Sequence, residues 1–161
     1  MTATILDPAL VDAERLNKSG SEADKTKLGD RVFLNRAITV KGKFDFSIDG
    51  GAQGDIALRD DYGNALKLPS GALVYNCLIN CGTTFTSGGA AEVGMKIESA
   101  GDVIAANTAV ADWDADVNTV TRAVLSANFI TTAERTVYLT VATADLTDGV
   151  ADFFIQYVET R

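Results

Sequence analysis

Residues 92–98 read Glu-Val-Gly-Met-Lys-Ile-Glu. Successive side chains of a β-strand project to opposite faces, so Val93, Met95 and Ile97 point one way and Glu92, Lys96 and Glu98 the other. A slip of one residue would bury three charges, which specifies the register of this strand strongly. The same two-residue period runs through 73–81: the odd positions Leu73, Tyr75, Cys77, Ile79 and Cys81 are apolar or nearly so, and the even ones include Asn76 and Asn80. Near the C-terminus Ala151, Phe153, Ile155 and Tyr157 form an apolar face, while Val150, Phe154 and Val158 share the other with Asp152 and Gln156. A strand apolar on both faces is expected to be central in a sandwich or covered by another subunit.

The rest of the chain repeats this grammar behind a different leader. Asp7-Pro8 reads as an N-cap followed by proline at the first helical position, and 9–18 supplies helix formers until Asn17, Ser19 and Gly20 end the run. Residues 19–30 are polar with glycine at both ends and read as a linker. Residues 1–30 are thus expected to be an N-terminal arm with a short helix, and 31–161 a β-sandwich domain. A helix this short needs a surface, so Ile5, Leu6, Leu10 and Leu16 are expected to pack on the domain or on a neighbour. Strands are expected over 32–41 and onward through Phe44, Phe46 and Ile48, which alternate with Asp45, Ser47 and Asp49. Residues 50–54 read as a turn, not a phosphate loop, because no Gly-Lys-Ser/Thr follows. Residues 55–59 and 64–68 flank a hairpin turn at Asp60-Asp61-Tyr62-Gly63, and Pro69-Ser70-Gly71 turns the chain again. Residues 99–113 read either as a short helix or as an irregular crossover. Further strands are expected at 117–125, 136–142 and 150–159, with Leu146-Thr147-Asp148-Gly149 signalling a hairpin between the last two. About eight to ten short strands predict an all-β fold, an antiparallel β-sandwich of jelly-roll-like type. No internal repeat is visible, which disfavours a propeller or solenoid.

The 161 residues suit one domain, and 47% hydrophobic against 22% charged residues permits a sizeable core. No apolar run approaches the roughly 18 residues of a membrane span. The N-terminus has neither the basic nor the apolar region of a secretory signal, so synthesis and assembly in a cytoplasm are expected. Histidine is absent, which removes His-based acid–base chemistry, His-activated nucleophiles and most zinc sites. Cys77 and Cys81 lie on one strand face roughly 13 Å apart, too far for a disulfide, and read as core thiols. No cofactor is expected. Residues 1–43 carry eight Lys/Arg against six Asp/Glu, and 44–161 six against sixteen. So acidic a body repels nucleic acid and anionic membranes, and neither is expected as a partner.

Asp112, Asp114, Asp116 and Asn118 alternate oxygen ligands as the first half of a calcium loop does. Val117 stands where the sharp-turn glycine belongs and Ala123 where the bidentate glutamate belongs, so these four are metal candidates set against an acidic surface loop whose aspartates cap turns. Carboxylate pairs for glycoside hydrolysis meet in space rather than in order. Aromatic content is 7%, however, and the single Trp113 reads as a partly buried packing residue. Arg31, Arg36, Lys41 and Lys43, with Lys18, Lys25 and Lys27, form the cationic concentration of the chain. Without interleaved aromatics this is no nucleic-acid groove. It reads as a solvated arm or as a docking element for an acidic protein surface. Leu6, Leu10, Leu16, Arg31, Arg36, Lys41 and Lys43 are the partner-binding candidates.

The residues also carry a resemblance. Leu66-x-Leu68-Pro69-x-Gly71-Ala72-x-Val74, Thr84-Phe85-Thr86-Ser87 and Gly94-x-x-Ile97-Glu98-Ser99-Ala100-Gly101-Asp102 are followed by Arg135-x-Val137-x-Leu139-Thr140-Val141, Leu146-Thr147-x-Gly149 and Tyr157-Val158-Glu159. Over residues 55–161 this succession resembles the small β-sandwich virion proteins of tailed bacteriophages, of capsid decoration (cement) or head-fibre type. The resemblance implies no active site and no catalytic residues. It implies binding to major capsid protein subunits on the outer surface of the head, often as a homotrimer. The alternative is a non-enzymatic binding module, adhesin-like or carbohydrate-binding, assisted by calcium at Asp112 to Asn118.

Overall fold

A computed structural model describes residues 37–115, 121–122 and 128–160. Eleven strands run through the described residues: β1 (Ile38–Asp45), β2 (Gly54–Ala57), β3 (Lys67–Leu68), β4 (Ala72–Ser87), β5 (Glu92–Lys96), β6 (Ile104–Ala109), β7 (Thr121–Arg122), β8 (Phe129–Ile130), β9 (Arg135–Thr136), β10 (Tyr138–Ala142) and β11 (Leu146–Glu159). One helical turn, α1 (Phe46–Asp49), follows β1, and a 3-10 turn (Val110–Asp112) follows β6.

All pairings are antiparallel, and they nest. β1 pairs with β11, β2 with β10, β4 with β7 and β5 with β6. A long hairpin of four strand pairs then folds over itself as β11 zips to β4 and β10 to β5. The result is two sheets of order β1-β11-β4-β7 and β2-β10-β5-β6, which is the jelly roll. β8 adds to β4, and β3 with β9 makes a separate ribbon. The expected all-β, jelly-roll-like sandwich is therefore the fold that forms. Its core lies between the sheets, with Phe44, Val74, Ile79, Phe153 and Ile155 from one and Val93, Met95, Leu139 and Val141 from the other. Cys77 Sγ meets Met95 Sδ across that layer at 3.7 Å. An aromatic row of Phe44, Phe85, Trp113 and Phe153, with centroids 5.4, 5.3 and 6.2 Å apart, fills one region of the core.

Several local expectations are corrected. The strand drawn through Ile48 stops at Asp45, because the Asp45 carboxylate accepts from Ser47 N–H (2.9 Å) and Ser47 Oγ (2.6 Å), and Asp49 reaches back to Asp45 N–H (2.8 Å). These local bonds offer the backbone a capped turn in place of a ladder. The uniform odd face of 73–81 does not hold either. Ala72 and Val74 are buried, then Cys77 and Ile79, and the parity changes at a bulge where Gln156 gives way to Tyr157 opposite. Leu73 and Tyr75 accordingly lie outside the core. Residues 99–113, read as a short helix or an irregular crossover, hold a strand, and helix is confined to the single 3-10 turn Val110–Asp112. Asp102 accepts from the N–H groups of Ile97, Glu98 and Ser99 to close a turn, and β6 then returns along β5.

No hairpin joins the last two strands, because β10 and β11 belong to different sheets. Thr143, at φ 70°, makes the turn, and Asp148-Gly149 forms a bulge inside β11. The turn at 60–63 does form: Asp60 N–H donates to Asn64 O at 2.8 Å, and the Asp60 carboxylate accepts from Tyr62 and Asn64 N–H. Lys67 and Leu68 beyond it leave to pair with β9. β11 sits centrally between β1 and β4 with Ala151, Phe153, Ile155 and Tyr157 buried, as its alternation predicts. The expected helix at 9–18, the linker, and the domain start at residue 31 lie outside the described residues.

Candidate functional site

Of the partner-binding candidates, Lys41 and Lys43 fall within the described residues; Leu6, Leu10, Leu16, Arg31 and Arg36 do not. Alternation along β1 puts both lysines on the outer face of the larger sheet. Lys41 Nζ lies 2.9 Å from Asp152 and 5.6 Å from the centre of the Phe154 ring. Lys43 Nζ lies 2.7 Å from Asp61, and the shared hydrogen bond raises the lysine pKa and lowers that of the aspartate. Both charges are thus engaged within the domain. Pairs this exposed are screened by solvent and add little to stability. Beside them Arg59 grips Asp49 with Nε (2.5 Å) and Nη2 (3.0 Å), and that bond raises the guanidinium pKa further. Asp49 is the most buried acid of the group at 7% exposure. The grip fixes α1 against the 60–63 turn.

Of the calcium candidates, Asp112 is exposed on the 3-10 turn and Asp114 is half-buried. Asp114 accepts from Thr84 Oγ1 at 2.8 Å, and Thr84 Oγ1 also accepts from Ala115 N–H at 3.1 Å. Asp116 and Asn118 lie outside the described residues. No group of three or more His, Cys, Asp or Glu positioned for a metal ion occurs among the described residues. Between the two aspartates Trp113 turns inward at 4% exposure, more deeply than the partial burial expected of it, and its Nε1 has no hydrogen-bond partner. Both cysteines are free. Burial pushes the Cys77 thiol up to about 12, and burial with the charge of Asp114 pushes Cys81 up to about 11. Neither is a thiolate nucleophile at neutral pH.

One concavity among the described residues is announced by no sequence pattern. An open cleft of about 490 Å³ is lined by Lys96, Glu98, Ser99, Glu134, Arg135 and Tyr138, among others. Glu98 organises it. Its carboxylate accepts from Arg135 Nε and Nη2, both at 2.8 Å, and from Thr132 Oγ1 (2.6 Å) and N–H (3.1 Å). Arg135 first, then Thr132, hold the Glu98 pKa down to about 2. Lys96 binds Asp55 at 2.5 Å and lies 5.6 Å from the Tyr138 ring centre, while Lys67 binds Glu134 at 2.8 Å. A glutamate ionised at every physiological pH can position and clamp but cannot serve as a general acid. The separations of 34 and 37 positions between Glu98 and its partners leave no local signal by which to find this cluster.

No protein-family model matches the sequence, and no curated protein matches it. Among solved structures the fold is similar to a chain in the acidic stable capsid structure of Helicobacter pylori bacteriophage KHP30. The TM-score is 0.50 at 17% identity, covering 78% of this chain and 89% of that one. It is also similar to a chain of the capsid asymmetric unit of cyanophage Pam1, with TM-score 0.53 and 16% identity over 78% of this chain and 86% of that one. At these identities the likeness is one of fold.

Proposed function

We propose that this chain is a structural protein of a bacteriophage virion, which decorates the outer surface of the head and stabilises the shell by binding major capsid protein subunits. The observation that carries the reading is the likeness of the jelly roll to nearly the full length of chains from two phage capsid structures. A fold alone does not set a function. The chemistry of the described surface supports the same reading: Lys41, Lys43, Arg59, Lys67, Lys96 and Arg135 are engaged in ion pairs that brace strands and turns, and Arg135 clamps Glu98. In this role the arm of residues 1–30, with Leu6, Leu10 and Leu16, and the cations Arg31 and Arg36 contact the shell, while Lys41 and Lys43 are held by Asp152 and Asp61. Val150, Phe154 and Val158, half-buried on the outer face of β11, suit a trimer contact. A carbohydrate-binding module would want an exposed aromatic strip, and Trp113 is spent in the core.

Quantitative mass spectrometry of purified phage particles, comparing copies of this chain with copies of the major capsid protein, tests the reading. Copies in the hundreds support decoration. A handful would place the chain at a tail or vertex, and absence from the particle would sink the virion role.

A further inference from the structure

The Asp-Gly sequence occurs twice in the chain, at Asp49-Gly50 and at Asp148-Gly149. An aspartate followed by glycine is open to one intramolecular reaction, attack of the glycine nitrogen on the side-chain carboxyl carbon, because glycine has no Cβ to shield that nitrogen. Proximity decides such a step, and reacting atoms held about 3–3.5 Å apart are poised for it. The two sites differ in each respect that bears on it.

At Asp49 both reacting groups are engaged elsewhere. The carboxylate accepts from Arg59 Nε (2.5 Å) and Nη2 (3.0 Å) and from Asp45 N–H (2.8 Å). The Gly50 N–H donates to Phe46 O at 3.0 Å, and the Asp49 side chain is 7% exposed. At Asp148 the two groups face each other. Gly149 N–H donates to Asp148 Oδ1 at 2.8 Å, which brings the carbon bonded to that oxygen against the nitrogen. Asp148 is exposed, so water reaches it. The ladder to β4 is irregular on both sides, between Leu146 and Asp148 and between Asp148 and Val150. Regular pairing therefore does not clamp this peptide, and it can turn as a ring closes.

We propose that Asp148-Gly149 is a site of spontaneous backbone modification, at which aspartate converts to isoaspartate through a cyclic imide, while Asp49-Gly50 is protected. The Gly149 nitrogen bonds to Asp148 Cγ and gives up its proton; the carboxyl C–OH bond breaks, and the hydroxyl leaves with that proton as water. Water then adds to the main-chain carbonyl carbon of Asp148 in the imide and that C–N bond breaks, so the chain runs on through Cβ and Cγ. One water is lost and one gained, and no oxidant or other reactant is needed. The product carries one extra main-chain carbon beside buried Gly149, where even a Cβ would stand 2.8 Å from the Phe85 ring. Its accumulation should loosen the packing of Phe85 on Phe44 and Trp113.

Incubation of the full chain for weeks in mildly acidic to neutral buffer, folded and in concentrated urea, supplies the test. Tryptic peptides 44–59 and 136–161 carry the two sites. Isoaspartyl methyltransferase labelling, with fragmentation that distinguishes isoaspartate from aspartate, locates the product. In urea both sites should convert. In the folded chain conversion should occur at 148 and run at least about tenfold slower at 49. D148E, which would need a less favourable six-membered imide, should remove the signal at 148, and circular dichroism verifies that this variant is folded. Absence of isoaspartate at 148 in the folded chain would overturn the proposal. So would equal rates at the two sites in the folded chain, which would mean conversion through global unfolding alone, or a D148E signal equal to that of wild type. The isolated chain suffices, so the outcome is independent of the virion reading.

Discussion

Glu98 is acidic by composition alone, and what sets its behaviour is the company it keeps. Arg135 and Thr132 supply four hydrogen bonds to its carboxylate, which lowers the pKa from 4.5 to about 2. A carboxyl whose folded pKa lies below its unfolded value contributes stability that is fully present above the unfolded value and is lost as pH falls through the folded one. Glu98→Gln should therefore destabilise the protein at neutral pH, and the gap to wild type should begin to close near pH 4.5 and nearly vanish by about pH 2. Urea unfolding of both proteins across that window measures it. A gap independent of pH would show that shape rather than charge carries the contribution. None of this pairing could be read from the sequence, since Arg135 lies 37 positions away and no periodicity connects the two. The charges of Lys41 and Lys43 were legible, whereas their engagement by Asp152 and Asp61 was not, because ion-pair partners are assigned by the sheet.

Elements were legible where one alternation governs a whole strand. The buried faces of β5 and β11 follow directly from Val93, Met95 and Ile97 and from Ala151 to Tyr157. Reading failed where a local side-chain bond or an extra residue overrides alternation. Asp45 diverts an alternating Phe44, Phe46, Ile48 pattern into α1, and a bulge opposite Gln156 and Tyr157 reverses the parity of β4. Asp148-Gly149 shows the same ambiguity, since a sequence that commonly makes hairpin turns here makes a bulge. Gly149 has φ 144°, and a Cβ there would stand 2.8 Å from the Phe85 ring. Phe85 is itself stacked on Phe44 and packed against Trp113. Gly149→Ala is thus expected to cost about 2–3 kcal/mol through backbone strain and overpacking, measurable by denaturant unfolding. Thr143, the residue that does make the turn into β11, holds φ 70° with a β-branched side chain. Asparagine tolerates that region better and its side-chain amide can replace the exposed Thr143 Oγ1 bond to Glu92 (3.0 Å), so Thr143→Asn should stabilise by up to roughly 1 kcal/mol. A melting temperature at or below that of wild type would refute the strain assignment.

At the scale of the molecule the sequence announces strands and faces but not neighbours, because alternation states which side of a strand is buried and is silent about which strand lies beside it. Strand count alone pointed to the jelly roll; the nested pairing that defines it appears only in the assembled sheets. That nesting has a kinetic consequence. β1 pairs with β11, so Ile38 lies opposite Tyr157 and the first and last described strands must meet before the larger sheet is complete. Loop closure over such separations is costed before any contact rewards it, which makes folds dominated by non-local pairing slow. Trp113 reports on this step. It is the single tryptophan of the chain and packs on Phe85 of β4 and Phe153 of β11, with Phe44 of β1 completing the row. Its environment therefore forms only when strands from both ends of the domain have come together. Refolding followed by Trp113 fluorescence should proceed in the millisecond-to-second range, in step with the β signal in far-ultraviolet circular dichroism. Fluorescence that recovered in microseconds, ahead of the sheet signal, would mean that the aromatic row assembles locally and does not depend on closure of β1 onto β11.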